Sequence, residues 1–214
     1  MNRKTIRAGT RWGVALVLMT FLIGQEVCAQ NANAQQQSPY ALAQTVANYF
    51  ASIKTMTGDF VQFGPKGDVS RGTFYMERPG KVRFSYDNSN LRVISDGRSV
   101  AINNRELDSW ALYQLSQTPM KMLLDNQINL GGGQLIGFSQ KAGNITMVLA
   151  DRSLGRGQIQ LIFDPKTYAL RQWTVIDQQN LATTVQISNV RTGVRFAKGM
   201  FTIPYDRISM NRRG

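Results

Sequence analysis

Between residues 73 and 86, apolar side chains alternate with polar ones, and this period of two constrains the fold more than any other feature of the chain. Two runs, 73–77 and 81–86, carry the pattern. Their apolar members are Phe74, Met76, Val82, Phe84 and Tyr86. Such alternation is typical of strands with one buried face. Pro79-Gly80 separates the two runs as a turn, so we expect them to pair as a hairpin.

The same signal recurs along the chain as short apolar runs joined by tight turns. Asp96-Gly97 and Gly143-Asn144 are the clearest turn dipeptides. The predicted hairpins pair 91–95 with 99–102, 136–142 with 145–150, 158–163 with 170–176, and 181–190 with 199–203. Short, regularly spaced strands of this kind predict an antiparallel sheet or barrel in meander order.

Two segments have helical rather than strand character. Residues 40–54 place Leu42, Val46, Tyr49, Phe50 and Ile53 on one face of an amphipathic helix. Residues 118–125 predict a short helix with Thr118 as its cap and Pro119 at the first helical position. The glycine-rich run 130–135 cannot be a regular strand. The predicted fold is therefore mainly β with few helices: an incomplete antiparallel β-barrel, or half-barrel, with an α-helical lid.

The N-terminus has the three parts of a secretory signal peptide: a basic start, a short apolar core at residues 12–23, and small-residue cleavage sites. Cleavage after Ala29 or after Ala34 fits the pattern. An uncleaved anchor or a buried core helix is the alternative, although the apolar block is shorter than a membrane span. Val27 before Cys28 argues against lipidation of that cysteine. We predict a signal peptide at 1–29, a flexible leader at 30–38, and a single domain at 39–214 in the periplasm.

The net charge of the chain limits the classes of partner that we expect. Removal of four basic residues and Glu26 with the signal peptide lowers the formal charge from +12 to +9. In a cytoplasmic protein this would suggest nucleic acid, but outside the cytoplasm acidic lipid headgroups or an acidic protein partner are the expected counter-charges. We therefore expect that nucleic acid is not a partner. The basic C-terminal quarter is either a binding surface or a solvated face.

The residue types also limit catalysis. The chain has no histidine and a single cysteine, which the predicted cleavage removes. This excludes Ser-His-Asp and Cys-His nucleophiles and zinc sites built from Cys and His. A carboxylate pair that includes Asp59 or Asp87 would suit a glycoside hydrolase, and a Ser–Lys dyad is possible, but no motif indicates either. The expectation is a protein that is not an enzyme, with no catalytic residue, no metal and no cofactor.

Arg78 and the methionines are the candidate functional residues. Arg78 continues the parity of Phe74 and Met76, so it faces inward unless the strand ends first and the side chain turns into solvent. If it is buried, its guanidinium needs acceptors, and the carbonyls at a lid terminus would supply them. Methionine either fills gaps in a core or adapts to variable apolar ligands. Met120 and Met122 lie on a short helix that should be exposed unless it covers something.

Several motifs, in order and spacing, resemble the outer-membrane lipoprotein carrier protein LolA family over nearly the whole mature chain. They are Gly58-Asp59-Phe60-Val61-Gln62, residues 72–81 with the sequence GTFYMERPGK, Ser95-Asp96-Gly97, Thr118-Pro119, Leu170-Arg171-Gln172-Trp173 and Phe201-Thr202-Ile203-Pro204. The resemblance implies the same half-barrel with a helical lid. It also implies that Arg78 latches the lid.

The resemblance further implies a carrier that takes lipoprotein acyl chains from an inner-membrane ABC transporter to an outer-membrane receptor, expected to act as a monomer. The acyl cavity is then expected to be lined by Phe60, Phe74, Met76, Val82, Phe84, Tyr86, Met120, Met122, Leu123 and Trp173. The alternatives are a periplasmic lipid-sensing regulator on the same half-barrel and a small hydrolase of envelope polymers. Few residues follow Pro204, so we expect any further C-terminal strand to be short or absent.

Overall fold

Strands dominate the part of the chain that the structure describes, which comprises residues 38–150 and 157–211 of a computed structural model. The predicted signal peptide and all of the predicted leader except Ser38 lie outside it. The strands are β1 Thr55–Phe63, β2 Val69–Glu77, β3 Lys81–Tyr86, β4 Leu91–Asp96, β5 Ser99–Asn104, β6 Ser109–Gln114, β7 Leu135–Lys141, β8 Asn144–Ala150, β9 Gln158–Phe163, β10 Leu170–Ile176 and β11 Ala182–Thr192. The helices are α1 Pro39–Ser52, α2 Met120–Leu124, preceded by a 3-10 turn at Leu115–Gln117, and α3 Tyr205–Asn211.

These strands form one antiparallel sheet in the order β6-β5-β4-β3-β2-β1-β11-β10-β9-β8-β7. Each half is a meander, as the turn signals predict. The two halves meet where β1 pairs with β11, for example Phe60 opposite Ile187. Within the described residues, β6 and β7 remain as unpaired edges, so the sheet does not close into a barrel. The predicted incomplete antiparallel barrel with few helices is confirmed.

The residues that alternate in the sequence form one buried face and one half-exposed face of the sheet. Phe74 and Met76 on β2 and Val82 and Phe84 on β3 are buried, while their odd-numbered neighbours are partly exposed. Side chains from β8 to β10 extend the same core, with Trp173 fully buried. The buried face of the sheet therefore forms one continuous apolar interior.

Helix α1 covers part of this interior. The Ser38 hydroxyl accepts a hydrogen bond from the Ala41 N–H at 3.2 Å, a normal N-cap, and Pro39 occupies the first turn. The apolar face buries Ala43, Val46, Ala47 and Phe50. Two details of the prediction were wrong: the helix ends at Ser52 rather than Lys54, and Tyr49 is exposed, packing edge-on against Tyr168.

The short central helix also differs from its prediction. Thr118 does not cap it, because the Thr118 hydroxyl donates instead to the Leu115 carbonyl at 2.9 Å. Helix α2 begins at Met120, and Pro119 precedes it with helical angles. The 3-10 turn at Leu115–Gln117 brings that carbonyl within reach, and the position of the turn was not visible in the sequence.

The predicted strand at 199–203 is not formed. Residues 199–201 are turns and 202–204 are irregular. The physical reason is that β11, its predicted partner, already pairs with β1 on one side and β10 on the other. With no free edge available there, the chain leaves the sheet after Thr192. Strands β1 and β6 and helix α3 were not predicted.

Residues 193–211, the C-terminal strap, instead cross the outer face of the first half of the sheet. The Phe196 ring packs edge-on against Tyr75 at 6.0 Å. The strap residues Ile203 and Ile208 form a second, small apolar cluster with Ile94 and Ala101. The strap therefore covers part of the outer face of this half of the sheet, whose other face forms the interior.

Gly72 gives a test of how closely β2 and β3 approach. A Cβ at this position would lie 2.0 Å from the Ser85 carbonyl oxygen and 3.0 Å from the Phe60 ring. We expect Gly72→Ala to lower the free energy of unfolding by about 1–3 kcal/mol through overpacking, measured by urea denaturation. The control is Gly131→Ala, where the nearest atom is a side-chain oxygen of Asn129 at 3.3 Å. Equal unfolding midpoints for the parent and Gly72→Ala would contradict the close approach.

Candidate functional site

An apolar cavity of about 360 Å³ lies on the inner face of the sheet, beneath the start of α2. Ligand pockets generally measure roughly 300–1,000 Å³, so this one is near the lower end of the range. Its lining residues are Gln62, Val82, Phe84, Tyr86, Leu91, Val93, Val100, Ile102, Tyr113, Thr118, Met120, Trp173, Val175, Thr183 and Val185. None of them is charged. The walls therefore offer apolar surface to a ligand without an ionic group inside.

The cavity walls follow directly from strand periodicity. Val82 and Phe84 on β3, and Val100 and Ile102 on β5, are each two residues apart, so both members of a pair face the same side. Trp173 on β10 lies across from Phe84, with ring centroids 6.1 Å apart. The two halves of the sheet thus contribute opposite walls.

Two polar side chains of the lining form a hydrogen bond with each other. The Tyr86 hydroxyl donates to Gln62 Oε1 at 2.8 Å. Burial raises the pKa of Tyr86 to about 12, against a smaller opposing effect of this hydrogen bond. The hydroxyl therefore stays neutral at physiological pH, and this part of the wall presents little unmet polarity to an apolar ligand.

The ten residues predicted to line an acyl cavity divide into two groups of five. Val82, Phe84, Tyr86, Met120 and Trp173 line the cavity. The other five are Phe60, Phe74, Met76, Met122 and Leu123, which are buried in the adjoining core. Phe60 supports the wall from behind, since its ring packs edge-on against Phe84 at 5.2 Å and against Tyr86 at 5.1 Å.

Sequence reasoning missed the lining residues of β4, β5 and β11. Val93, Val100, Ile102 and Val185 belong to runs that were predicted as strands, but no inner face was assigned to them. The signal was present in Val100 and Ile102, which alternate with Ala101 and Asn103. This signal is weaker than that of β3, because Ala101 is itself apolar and the run contains no aromatic residue.

Three larger cavities are found among the described residues, of about 1060, 900 and 430 Å³. Charged residues line the first, among them Lys81, Arg98 and Lys121, and arginines line the third. The second is lined by the run 126–129, in which every residue except Ile128 is polar. The character of the lining decides between the sites, because burial stabilises an apolar ligand in proportion to the apolar area removed from water. The smaller, uncharged cavity is the candidate site for an apolar ligand.

Arg78 lies at the junction of the sheet and α1. Strand β2 ends at Glu77, yet the Arg78 side chain is only 5% exposed. Its Nη1 donates to the Phe50 carbonyl at 2.6 Å, and its Cζ lies 3.7 Å from the centroid of the Phe50 ring. Phe50 is in the last turn of α1, where the helix dipole favours a cation. Among the described residues, Nε and Nη2 of Arg78 have no acceptor.

Burial lowers the pKa of Arg78 to about 10, so the side chain remains a buried cation at neutral pH. The backbone adds to its link with the helices. The Arg78 N–H donates to the carbonyl of Lys54, two residues after the end of α1, and the Gly80 N–H donates to the Leu124 carbonyl, both at 2.8 Å. The turn at 78–80 is thus bonded to the last turn of α1 through the Arg78 guanidinium and to the end of α2 through the Gly80 N–H.

An unclosed antiparallel sheet that wraps an uncharged cavity, with helices bonded to one of its turns, defines a binding protein for an apolar ligand. The family model described as "Outer membrane lipoprotein carrier protein LolA" matches residues 51–204. The chain belongs to this family. The proteins of the family are periplasmic carriers or binders of lipid or lipoprotein rather than enzymes. No protein of curated function matches the chain.

Several solved structures resemble the fold at low sequence identity. The Pseudomonas aeruginosa MucA/MucB complex matches with 17% identity and a TM-score of 0.41, over 77% of this chain and 62% of that one. The LolA superfamily protein NE2245 from Nitrosomonas europaea matches with 11% identity and a TM-score of 0.42, over 76% and 98%. A DUF1329 family protein from Desulfovibrio piger matches with 10% identity and a TM-score of 0.49, over 77% and 95%. This chain thus spans about three-fifths of the MucA/MucB chain that it matches, and the family membership rests on the family model.

Among the helices within residues 38–150 and 157–211, none is long and apolar enough to cross a membrane.

Filling the cavity should weaken binding of an apolar ligand. We expect Val100→Trp to reduce the affinity for a fluorescent fatty acid about tenfold, since displacing two buried methylenes costs roughly 0.8 kcal/mol each. Fluorescence titration measures the change. Val190→Trp, at an exposed position away from the cavity, is the matched control. The cavity is not the binding site if the two variants bind the probe equally well.

Proposed function

We propose that this chain is a periplasmic carrier that takes lipoprotein acyl chains into its apolar cavity. In this proposal it receives them from an inner-membrane ABC transporter and delivers them to an outer-membrane receptor. The observation that carries the proposal is the uncharged cavity beneath α2, next to a turn bonded to both helices. Family membership supports it.

Burial of the acyl chain supplies the binding energy. Each buried methylene contributes roughly 0.8 kcal/mol, so a chain of about fourteen could contribute about 11 kcal/mol. The empty cavity of about 360 Å³ is small for such a cargo, and we infer that loading requires the helices to move away from the sheet. Thr118 and Met120, at and just before the start of α2, line the cavity, whereas α1 contributes no lining residue. The two helices are bonded to the same turn, α1 through the Arg78 side chain and α2 through the Gly80 N–H, so we infer that they open together.

A carrier must also release its cargo, and Arg78 offers a reason why it can. The hydrogen bond from a charged donor to Phe50 contributes about 1.5–3 kcal/mol, and the contact with the Phe50 ring up to about 2 kcal/mol when desolvated. Against this stands the desolvation of a guanidinium with two unmatched donors, which costs several kcal/mol. We infer that the favourable contributions exceed this cost by a small margin, about the 1.4 kcal/mol that corresponds to a tenfold change in an equilibrium constant, so the closed empty state is only slightly favoured. Closing would then help to expel the cargo without preventing reloading.

Co-purification provides the direct test of function. The full chain is expressed with its N-terminus intact, isolated from the periplasm and examined by mass spectrometry for bound acylated protein. We expect lipoprotein with the parent and with Val190→Trp, and much less with Val100→Trp. Free lipid in place of lipoprotein would favour the lipid-sensing alternative. Equal amounts of cargo with all three proteins would contradict binding in the cavity.

Arg78→Leu tests the latch. The variant should still load cargo, because Arg78 does not line the cavity. It loses the bond to Phe50, so its closed empty state is less stable and its cargo is held more tightly. We expect transfer to acceptor membranes about tenfold slower, from the loss of one charge-assisted hydrogen bond.

Arg71→Leu is the matched control, since Arg71 is an exposed arginine on the same strand, β2. It should transfer cargo at the parental rate. If Arg78→Leu also delivers lipoprotein at that rate, the latch hypothesis is wrong.

A further inference from the structure

The cavity of about 430 Å³ lies on the outer face of the sheet, where the C-terminal strap crosses β4 to β6, and we call it the outer cavity. The sheet contributes Arg92, Asn103 and Trp110 to its walls, and the strap contributes Thr202 and Arg207. The apolar cavity on the inner face of the sheet, the inner cavity, shares none of its lining residues with the outer cavity. The two cavities are therefore separate sites on opposite faces of the sheet.

Positive charge is in excess around this cavity. Arg92, Arg105 and Arg207 line it, whereas Asp108 is the one acidic residue among its described lining residues. Asp108 is already paired with Arg207 at 2.8 Å. The pKa of Arg92 is lowered, first by burial and then by the charges of Arg83 and Arg105. The arginines thus repel one another, and a bound anion would relieve that repulsion.

Donors without acceptors add to the charge. Within residues 38–150 and 157–211, Trp110 Nε1 is buried and has no hydrogen-bond acceptor. A buried donor without an acceptor is costly and rare in folded proteins. The wall itself presents guanidinium and hydroxyl donors, from Arg92, Arg105 and Thr202, and few acceptors.

We propose that this outer cavity binds a phosphate group. Phosphate presents several acceptor oxygens around one centre, which matches a set of donors converging from the sheet and the strap. The guanidinium fork pairs with phosphate through two parallel hydrogen bonds, and this geometry makes arginine the preferred residue for phosphate recognition. A free phosphate and a phospholipid headgroup share this chemistry.

The test measures binding of inorganic phosphate to the full mature chain by calorimetry, at constant ionic strength in a chloride buffer. We expect saturable binding by the parent. Arg92→Gln and Arg105→Gln should each bind about tenfold more weakly, from the loss of one charge-assisted pair. Arg191→Gln is the control, because it makes the same change of charge at an exposed position outside the cavity. Circular dichroism checks that each variant is folded.

A second arm separates the two sources of phosphate. Flotation with vesicles of phosphatidylcholine alone is compared with flotation with equimolar phosphatidylcholine and phosphatidylglycerol. Binding to the second vesicles that depends on Arg92 identifies a headgroup, while binding of free phosphate alone identifies a soluble ligand. Both outcomes support the site.

Three outcomes would overturn the proposal. The first is the absence of saturable phosphate binding, and the second is an equal loss in Arg92→Gln, Arg105→Gln and Arg191→Gln, which would indicate diffuse attraction by net charge. The third is stronger Arg92-dependent binding of polyglutamate than of phosphate, which would point to an acidic protein partner.

Discussion

The pairing of β1 with β11 is the interaction on which the remaining architecture depends. It joins two local meanders, one from each half of the chain, into a single sheet, so that Phe84 and Trp173 become opposite walls of one cavity. It also occupies the last free side of β11. Residues after Thr192 therefore have no strand to join there, and they cross the outer face as the C-terminal strap. One long-range pairing thus determines both the inner cavity and the cover on the opposite face.

The turn at 78–80 contains a buried charge that has few partners. Arg78 bonds to one carbonyl and stacks on one ring, both belonging to Phe50, and two of its nitrogens have no acceptor among the described residues. A hydrophobic residue there would avoid the desolvation penalty but would lose the bond to the helix terminus. If this contact closes the helices, as proposed, its small net contribution leaves the closed state marginal. A marginal closed state would suit the proposed carrier, which has to open to load and close to release.

The sequence was sufficient for the architecture where structure is local. The alternation of Phe74, Met76, Val82 and Phe84 and the turn at Asp96-Gly97 predicted the strands and their meander order. Reasoning from the sequence failed where the outcome depends on distant partners. The apolar residues in 199–203 were predicted to form a strand that pairs with β11. They do not, because β1 and β10 already pair with both sides of β11. The division of the ten predicted cavity residues into lining and core depends on which inward side chains are covered by others. Phe60 and Phe84 have the same inward parity, but Phe60 packs against Phe84 and Tyr86, and only these two reach the cavity.

The two cavities occupy opposite faces of the same strands, which follows from the period of two. Val93 lines the inner cavity and its neighbour Arg92 lines the outer one, and Ile102 and Asn103 divide in the same way on β5. The two cavities therefore share the backbone of β4 and β5. The strap packs on the same two strands, through Ile203 and Ile208 against Ile94 and Ala101. The strands that form one wall of the inner cavity are thus held from the outside by the segment that completes the outer one.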